Sequence, residues 1–184
     1  DSLLGLRVGI PQVAQLEFFG DLAASERFAD AVASISSLGA SIVAIDFAPC
    51  TRIGDLLYGG PWVAERAAAV GDFIRKQPDA CLPLIRDIVT AADRYTAADA
   101  FRGRYVLDSL RPQAEDTFRQ VDVLLLPTTP TNFRIRDDAG DGRTFNDRLG
   151  TYTRFLNLLG YPALCVPAGF KPDGQPFGVS LVAQ

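Results

Sequence analysis

The sequence contains no histidine and very few lysines, and these absences limit its chemistry. Without an imidazole, it has neither a histidine-based metal site nor a histidine-dependent catalytic triad. Only two of its 18 basic residues are lysines, Lys76 and Lys171, and the others are arginines. The three cysteines, Cys50, Cys81 and Cys165, lie far apart and form no CxxC pair. This usage predicts reduced, buried thiols in a cytosolic protein.

The chain also lacks an excess of positive charge and a long apolar run. Its net charge is −4 and its pI is about 4.8, which disfavours binding to nucleic acid or to an anionic membrane. The longest uncharged stretch, 155–170, is broken by glycines and prolines, so neither a signal peptide nor a membrane span is predicted. We therefore expect a soluble, cytoplasmic protein. Position 1 is Asp and methionine is absent throughout, so we expect the ends to be cut from a longer chain.

The apolar patterning predicts an α/β layer architecture. Short buried strands are expected at 6–10, 41–46, 121–126, 163–166 and 177–182, with a turn at 171–174. A helix that begins after Asp21 and ends at Gly39 separates the first two strands, which should therefore pair in parallel through a right-handed crossover. With 184 residues and 48% hydrophobic content, residues 1–184 are long enough for a single domain with its own core, or for part of one.

The middle of the chain is predicted to be helical. One helix should run from Pro61 to Lys76, a second should span 82–94 and a third should begin at Thr96, where Thr96 and Asp99 form a capping box. Pro112 is expected to kink or split this third helix. A further helix is expected at 149–159.

The stretch LYGGPWVAER, at 57–66, is the first candidate site. We expect Tyr58 in the loop before the helix and Arg66 in the second helical turn, where a phenol and a guanidinium could bind a small polar anion. In the alternative interpretation, the stretch only begins a helix and Trp62 stacks on Arg66 four residues later. The residues alone leave both interpretations open.

Two other segments carry polar groups. Thr128 and Thr129 follow a buried strand, at the place where open α/β sheets often bind ligands, so they are either structural or ligand contacts. The aspartate-rich segment 137–142 is similar to a calcium loop. Its third position is alanine and its twelfth is Arg148, so a solvated loop is expected instead.

Three longer motifs carry a family resemblance. The run Gly150–Phe170, followed by Asp173-Gly174-x-Pro176-x-Gly178-Val179, resembles the C-terminal part of the amidase-signature hydrolases. LYGGPWVAER and DVLLLPTTPT, at 122–131, resemble the allophanate hydrolases within that family. The likeness extends from Leu6 to Val182.

The resemblance implies an α/β fold with a mixed, largely parallel sheet flanked by helices. It implies hydrolysis of allophanate to ammonia and N-carboxycarbamate during urea degradation. It also implies that Tyr58 and Arg66 bind the substrate. Such enzymes use a Ser–cis-Ser–Lys triad, and no segment of this sequence matches it, so no catalytic residue is assigned.

The resemblance also defines the expected partners. These are a small anionic amide, similar to allophanate, and a missing N-terminal half of the amidase domain. No metal or other cofactor is implied, and a homo-oligomer is left open. On this interpretation, residues 1–184 are the C-terminal part of a larger amidase domain and are not catalytic alone. The alternatives are a non-catalytic binding module and an interaction domain derived from the same fold.

Overall fold

The chain forms a five-stranded mixed sheet with helices on both faces. The computed structural model describes residues 2–134 and 142–184. Its strands are β1 (Arg7–Pro11), β2 (Ser41–Ile45), β3 (Val123–Pro127), β4 (Ala163–Phe170) and β5 (Pro176–Val182), and they lie side by side in the order β2-β1-β3-β5-β4.

The first βαβ unit is confirmed. Helix α1 (Leu22–Ser37) begins after Asp21, whose carboxylate accepts a hydrogen bond from the backbone N–H of Ala24. It is followed by Gly39, which has a left-handed φ of +100° that favours glycine. Strands β1 and β2 then pair in parallel, from Arg7 opposite Ser41 onward.

The rest of the sheet is mixed, as predicted. β3 pairs in parallel with β1, whereas β5 runs antiparallel to both β3 and β4. Among the strands that the structure describes, four therefore point the same way and β5 is reversed. β4 and β5 form a hairpin whose turn contains Gly174, as the sequence 171–174 predicted.

The helical middle contains one element that the sequence analysis missed. This element is helix α2 (Ala48–Gly59). It precedes α3 (Val63–Lys76), and the predicted start of α3 at Pro61 was two residues early. Helix α4 (Pro83–Thr90) continues into a 3-10 turn at Ala91–Arg94. Helix α5 (Ala97–Phe118) has the predicted capping box at Thr96, and Pro112 lies inside it without splitting it.

The helix predicted over 149–159 is shorter than expected, and a helix that was not predicted precedes it. Helix α6 (Gly142–Leu149) ends where that helix was expected to begin, and α7 (Arg154–Leu159) follows after a short turn. Gly160 ends α7 in the left-handed conformation, with a φ of +72°.

Both faces of the sheet are covered. On one face, Leu124 and Leu126 of β3 pack with α2, α5 and α7 through Ile53, Leu107 and Phe155. On the other face, the core is formed by α1 and the hairpin; its members include Val8, Phe28, Leu125 and Val179. Alternate residues of β3 thus enter opposite cores, which explains its continuous apolar run.

The outer strand β4 is exposed over most of its length. The side chains of Leu164 and Phe170 are 62% and 70% exposed, which is unusual for large apolar residues in a strand.

Across the described ranges, no helix is long and apolar enough to cross a membrane. Residues 2–134 and 142–184 also contain no group of cysteines and carboxylates that could hold a metal ion.

Candidate functional site at the junction of α2 and α3

The LYGGPWVAER stretch contains the short corner, at 60–62, that joins helices α2 and α3. Tyr58 lies in the last turn of α2, so its predicted position in a loop was wrong. The backbone N–H of Gly60 donates to the carbonyl of Leu56 and ends that helix. A Cβ at Gly60 would lie 2.8 Å from the Leu56 oxygen, so glycine is required by this close approach. Arg66 then lies near the start of α3, as expected.

Trp62 fixes this corner against α5 and does not stack on Arg66. A Cβ at Gly103 of α5 would lie 2.6 Å from Pro61 and 3.1 Å from the indole ring of Trp62. Both side chains therefore pack where Gly103 leaves room. The alternative interpretation, in which Trp62 stacks on Arg66, is not what the structure shows: the ring beneath the Arg66 guanidinium belongs to Tyr58.

Two guanidinium groups lie over the ring of Tyr58. The Arg66 Cζ is 4.7 Å from the ring centroid, and the Arg154 Cζ is 5.3 Å from it, both within range of cation–π attraction. Arg154 is at the start of α7 and its side chain is only 17% exposed. It contacts the carboxylate of Asp147 at 3.8 Å, and its buried Nε has no hydrogen-bond partner in the described part of the chain.

Tyr58 and Arg66 both line a cavity of about 370 Å³. The cavity lies between α3 and α4 and is lined by Tyr58, Arg66, Ala69, Val70, Ile85, Ile88, Val89 and Asn146. Most of its wall is therefore aliphatic, with the guanidinium, the phenol and the amide as its polar groups. The structure thus brings both predicted site residues to one cavity.

The half-buried guanidinium of Arg66 has no acidic partner within residues 2–134 and 142–184. Arg75, on the same helix, by contrast contacts the carboxylate of Asp93 at 2.9 Å and that of Asp72 at 3.4 Å. A half-buried cation without a counter-ion, beside an open cavity, has the character of an anion-binding group.

Thr128 has a structural role. Its hydroxyl is 2.8 Å from the Ser180 hydroxyl and 3.1 Å from the sulfur of Cys165, so it links β3 to the β4–β5 hairpin. It does not line the cavity at Tyr58.

Lys171 belongs to a separate polar cluster. Its ammonium is 2.9 Å from the carboxylate of Asp21, which also accepts a hydrogen bond from the Thr131 hydroxyl at 2.8 Å. The Lys171 side chain is 4% exposed. Burial opposes ionisation of Asp21, but the hydrogen bonds from Lys171, the Ala24 N–H and Thr131 hold its pKa below the usual value. These contacts tie the hairpin to the start of α1.

The three thiols differ, so the prediction that all are buried was wrong for two of them. Only Cys50 is buried; Cys81 is half-buried and Cys165 is exposed on β4. Burial, together with the nearby charge of Asp46, raises the pKa of the Cys50 thiol to about 12.

The aspartate-rich segment, 137–142, lies outside the described residues except for its last glycine.

Comparison with known proteins gives the family. The family model "Amidase" matches residues 1–184. The chain belongs to the amidase family. It is 37% identical to the urea amidolyase of Lachancea kluyveri over 96% of this chain and 10% of that protein. It is 30% identical to the 2-amino-5-chloromuconic acid deaminase of Comamonas testosteroni over 97% of this chain and 39% of that protein.

The structural comparison agrees. The fold matches a single-residue variant of Kluyveromyces lactis allophanate hydrolase with a TM-score of 0.91 and 35% identity, over 97% of this chain and 29% of that chain. The predicted resemblance to amidase-signature proteins of the allophanate hydrolase type is therefore confirmed, as is the fold class. The chain spans only about a tenth of the length of the urea amidolyases.

The sequence analysis missed the aliphatic wall and Arg154. Ile85, Ile88 and Val89 have helical spacing, and this pattern indicated an amphipathic helix but not which residues face a cavity. Arg154 is distant in sequence from Tyr58, so no local spacing could reveal their contact.

Proposed function

We propose that residues 1–184 are the substrate-recognition part of an allophanate hydrolase, acting in urea degradation. Tyr58 and Arg66 bind the substrate, and the nucleophile comes from another part of the same amidase domain. The urea amidolyases and the allophanate hydrolase that share this fold support the proposal. The observation that carries it is the unpaired, half-buried guanidinium of Arg66 over Tyr58 beside a cavity.

The site suits the chemistry of allophanate. This planar ureido acid carries one carboxylate, which a guanidinium can bind through two parallel hydrogen bonds. The Tyr58 hydroxyl is then available to the remaining polar edge. During hydrolysis, water replaces the terminal amine at the amide carbonyl and ammonia leaves, while the carboxylate is unchanged. Arg66 and Tyr58 therefore orient the substrate and take no part in the bond changes.

The remainder of the amidase domain is the proposed partner of β4. This edge strand presents unpaired backbone groups together with the exposed Leu164 and Phe170, a combination that isolated globular domains avoid. This chain covers only 10% of the related urea amidolyase and 29% of the related allophanate hydrolase, which supports the same proposal. In this arrangement, residues 1–184 are one part of a domain whose sheet continues beyond β4.

Kinetics of the full-length protein test the role of Arg66. For Arg66→Ala, we expect kcat/KM for allophanate to fall by about 30- to 1,000-fold, since a charge-assisted contact of roughly 2–4 kcal/mol is lost. Turnover of biuret, the uncharged analogue in which an amide replaces the carboxylate, should be much less affected. Tyr58→Phe should lower kcat/KM for allophanate by about 10-fold.

Arg75→Ala is the matched control, because Arg75 lies on the same helix but is paired with carboxylates at the surface. It should leave both substrates unaffected. Equal losses on allophanate and biuret after Arg66→Ala, together with a lower melting temperature, would show that Arg66 only stabilises the corner between α2 and α3.

A non-catalytic binding module is the second candidate. Both candidates are consistent with the described residues, in which Lys171 is tied to Asp21 and Lys76 is exposed at the end of α3. Ammonia release by the full-length protein separates the two candidates, since a module would bind allophanate without releasing ammonia. The 184-residue chain alone should release none in either case.

A further inference from the structure

The cavity beside Arg66 contains more apolar wall than allophanate can use. Allophanate has few heavy atoms, and each is polar or bonded to a polar atom. A volume of about 370 Å³ lies within the range of about 300–1,000 Å³ that is typical of sites for larger organic ligands. Val70, Ile85, Ile88 and Val89 supply aliphatic wall to the same cavity that Tyr58 and Arg66 line.

The side chains on this wall are not part of either main core. Val70 and Ile85 are 45% and 47% exposed, and they line the groove between α3 and α4. A ligand with a hydrocarbon portion would remove this apolar surface from water, which is favourable in proportion to the area buried. An anionic head on the same ligand would meet the unpaired guanidinium of Arg66.

We propose that this aliphatic wall is a second subsite, and that the site accepts carboxylates bearing a short hydrocarbon chain. The carboxylate binds at Arg66 and Tyr58, and the chain lies against Val70 and Ile85. This inference rests on the proposed binding of a carboxylate at Arg66, and it extends the substrate class from allophanate to amide acids with an apolar substituent.

The test is a chain-length series of carboxylates, measured by calorimetry on the full-length protein. Acetate, butyrate and hexanoate serve as probes, so no turnover is needed. Each methylene that enters the subsite should tighten binding by up to about fourfold. Hexanamide, which has the same chain without the charge, should bind more weakly than hexanoate, and Arg66→Gln should abolish this difference.

Two valine variants provide a matched pair. Val70 in the cavity and Val106 on α5 outside it are both 45% exposed and both helical. Val70→Thr should reduce the gain per methylene to about twofold or less, whereas Val106→Thr should leave it unchanged. Because threonine is tolerated at exposed helical positions, both variants are expected to fold.

Three results would overturn the inference. Equal affinities of the wild-type protein for acetate, butyrate and hexanoate would show that the hydrocarbon chain of the ligand does not contact the aliphatic wall. If the gain in affinity per methylene were unchanged in Val70→Thr, the hydrocarbon chain of the ligand would bind elsewhere. Equal binding of hexanoate and hexanamide would show that the carboxylate plays no role. If hexanoate binds as expected but allophanate is not hydrolysed, the subsite stands and the proposed substrate is wrong.

Discussion

Removal of the Lys171 ammonium should destabilise the fold strongly, because it leaves a carboxylate without its counter-ion. The side chains of Lys171 and Asp21 are only 4% and 18% exposed, and their charged atoms are 2.9 Å apart. Breaking a buried pair on one side costs about 3–5 kcal/mol. Asp21 retains its hydrogen bonds from Thr131 and the Ala24 N–H, so we expect the lower end, about 3 kcal/mol, for Lys171→Met.

Calorimetry should detect this loss. For a unit of this size, about 3 kcal/mol corresponds to a fall in melting temperature of roughly 6–12 °C. Asp21→Asn should be at least as damaging, because it leaves the more deeply buried ammonium unpaired. The double variant Asp21→Asn, Lys171→Met removes both charges, and it should be more stable than either single variant.

The stability of the pair also depends on pH. The pKa of Asp21 is lowered in the folded protein, so the carboxylate contributes stability above its unfolded value of 3.8, and this contribution is lost as the pH falls toward the folded pKa. Below about pH 4, wild type should therefore lose stability more steeply than Lys171→Met. Additive single-variant losses and parallel pH profiles would refute a coupled ion pair.

Three further predictions concern the rest of the molecule. Arg154→Met should lower allophanate turnover, because it removes a cation–π contact with Tyr58 worth about 0.5–2 kcal/mol. Arg154→Lys keeps the charge and should retain part of the turnover. Unchanged kinetics in both variants would contradict a role of Arg154 in positioning Tyr58. In residues 1–184 expressed alone, a thiol reagent at about pH 8 should label Cys165 rapidly and Cys50 only on unfolding, as mass spectrometry can show, because Cys50 is buried with a pKa of about 12. Residues 1–184 expressed alone should bind a hydrophobic dye, and Leu164→Lys should reduce this binding, unless β4 is already covered.

The strands and the first βαβ unit could be predicted because local signals agreed with the final packing. The apolar run of β3 and the cap at Asp21 each point to one structure. Helix α2 could not be predicted in this way. Its segment contains Pro49 and Gly54, and glycine inside a helix costs about 1 kcal/mol relative to alanine. A Cβ at Gly54 would lie 3.1 Å from the Cβ of Arg154, so the glycine allows α7 to pack closely there.

The candidate site was predicted only in part, for a related reason. Tyr58 and Arg66 are near in sequence, so their spacing alone suggested that they act together. Their actual geometry depends on long-range contacts, because Trp62 is held at Gly103 and Arg154 approaches Tyr58 from α7. Short-range patterns indicate which residues are candidates, and only the folded chain determines what surrounds them.

The corner between α2 and α3 makes the site depend on the packing of α5. Gly60 lets the chain turn immediately after Tyr58, and Gly103 provides the space that Pro61 and Trp62 occupy. Together these contacts fix the direction in which α3 leaves the corner, and Arg66 is carried on its first turns. The Arg66 guanidinium lies 4.7 Å from the centroid of the Tyr58 ring, and no ion pair among the described residues accompanies this contact. This arrangement leaves the guanidinium without a counter-ion in the described structure, which suits the proposed binding of an anionic substrate.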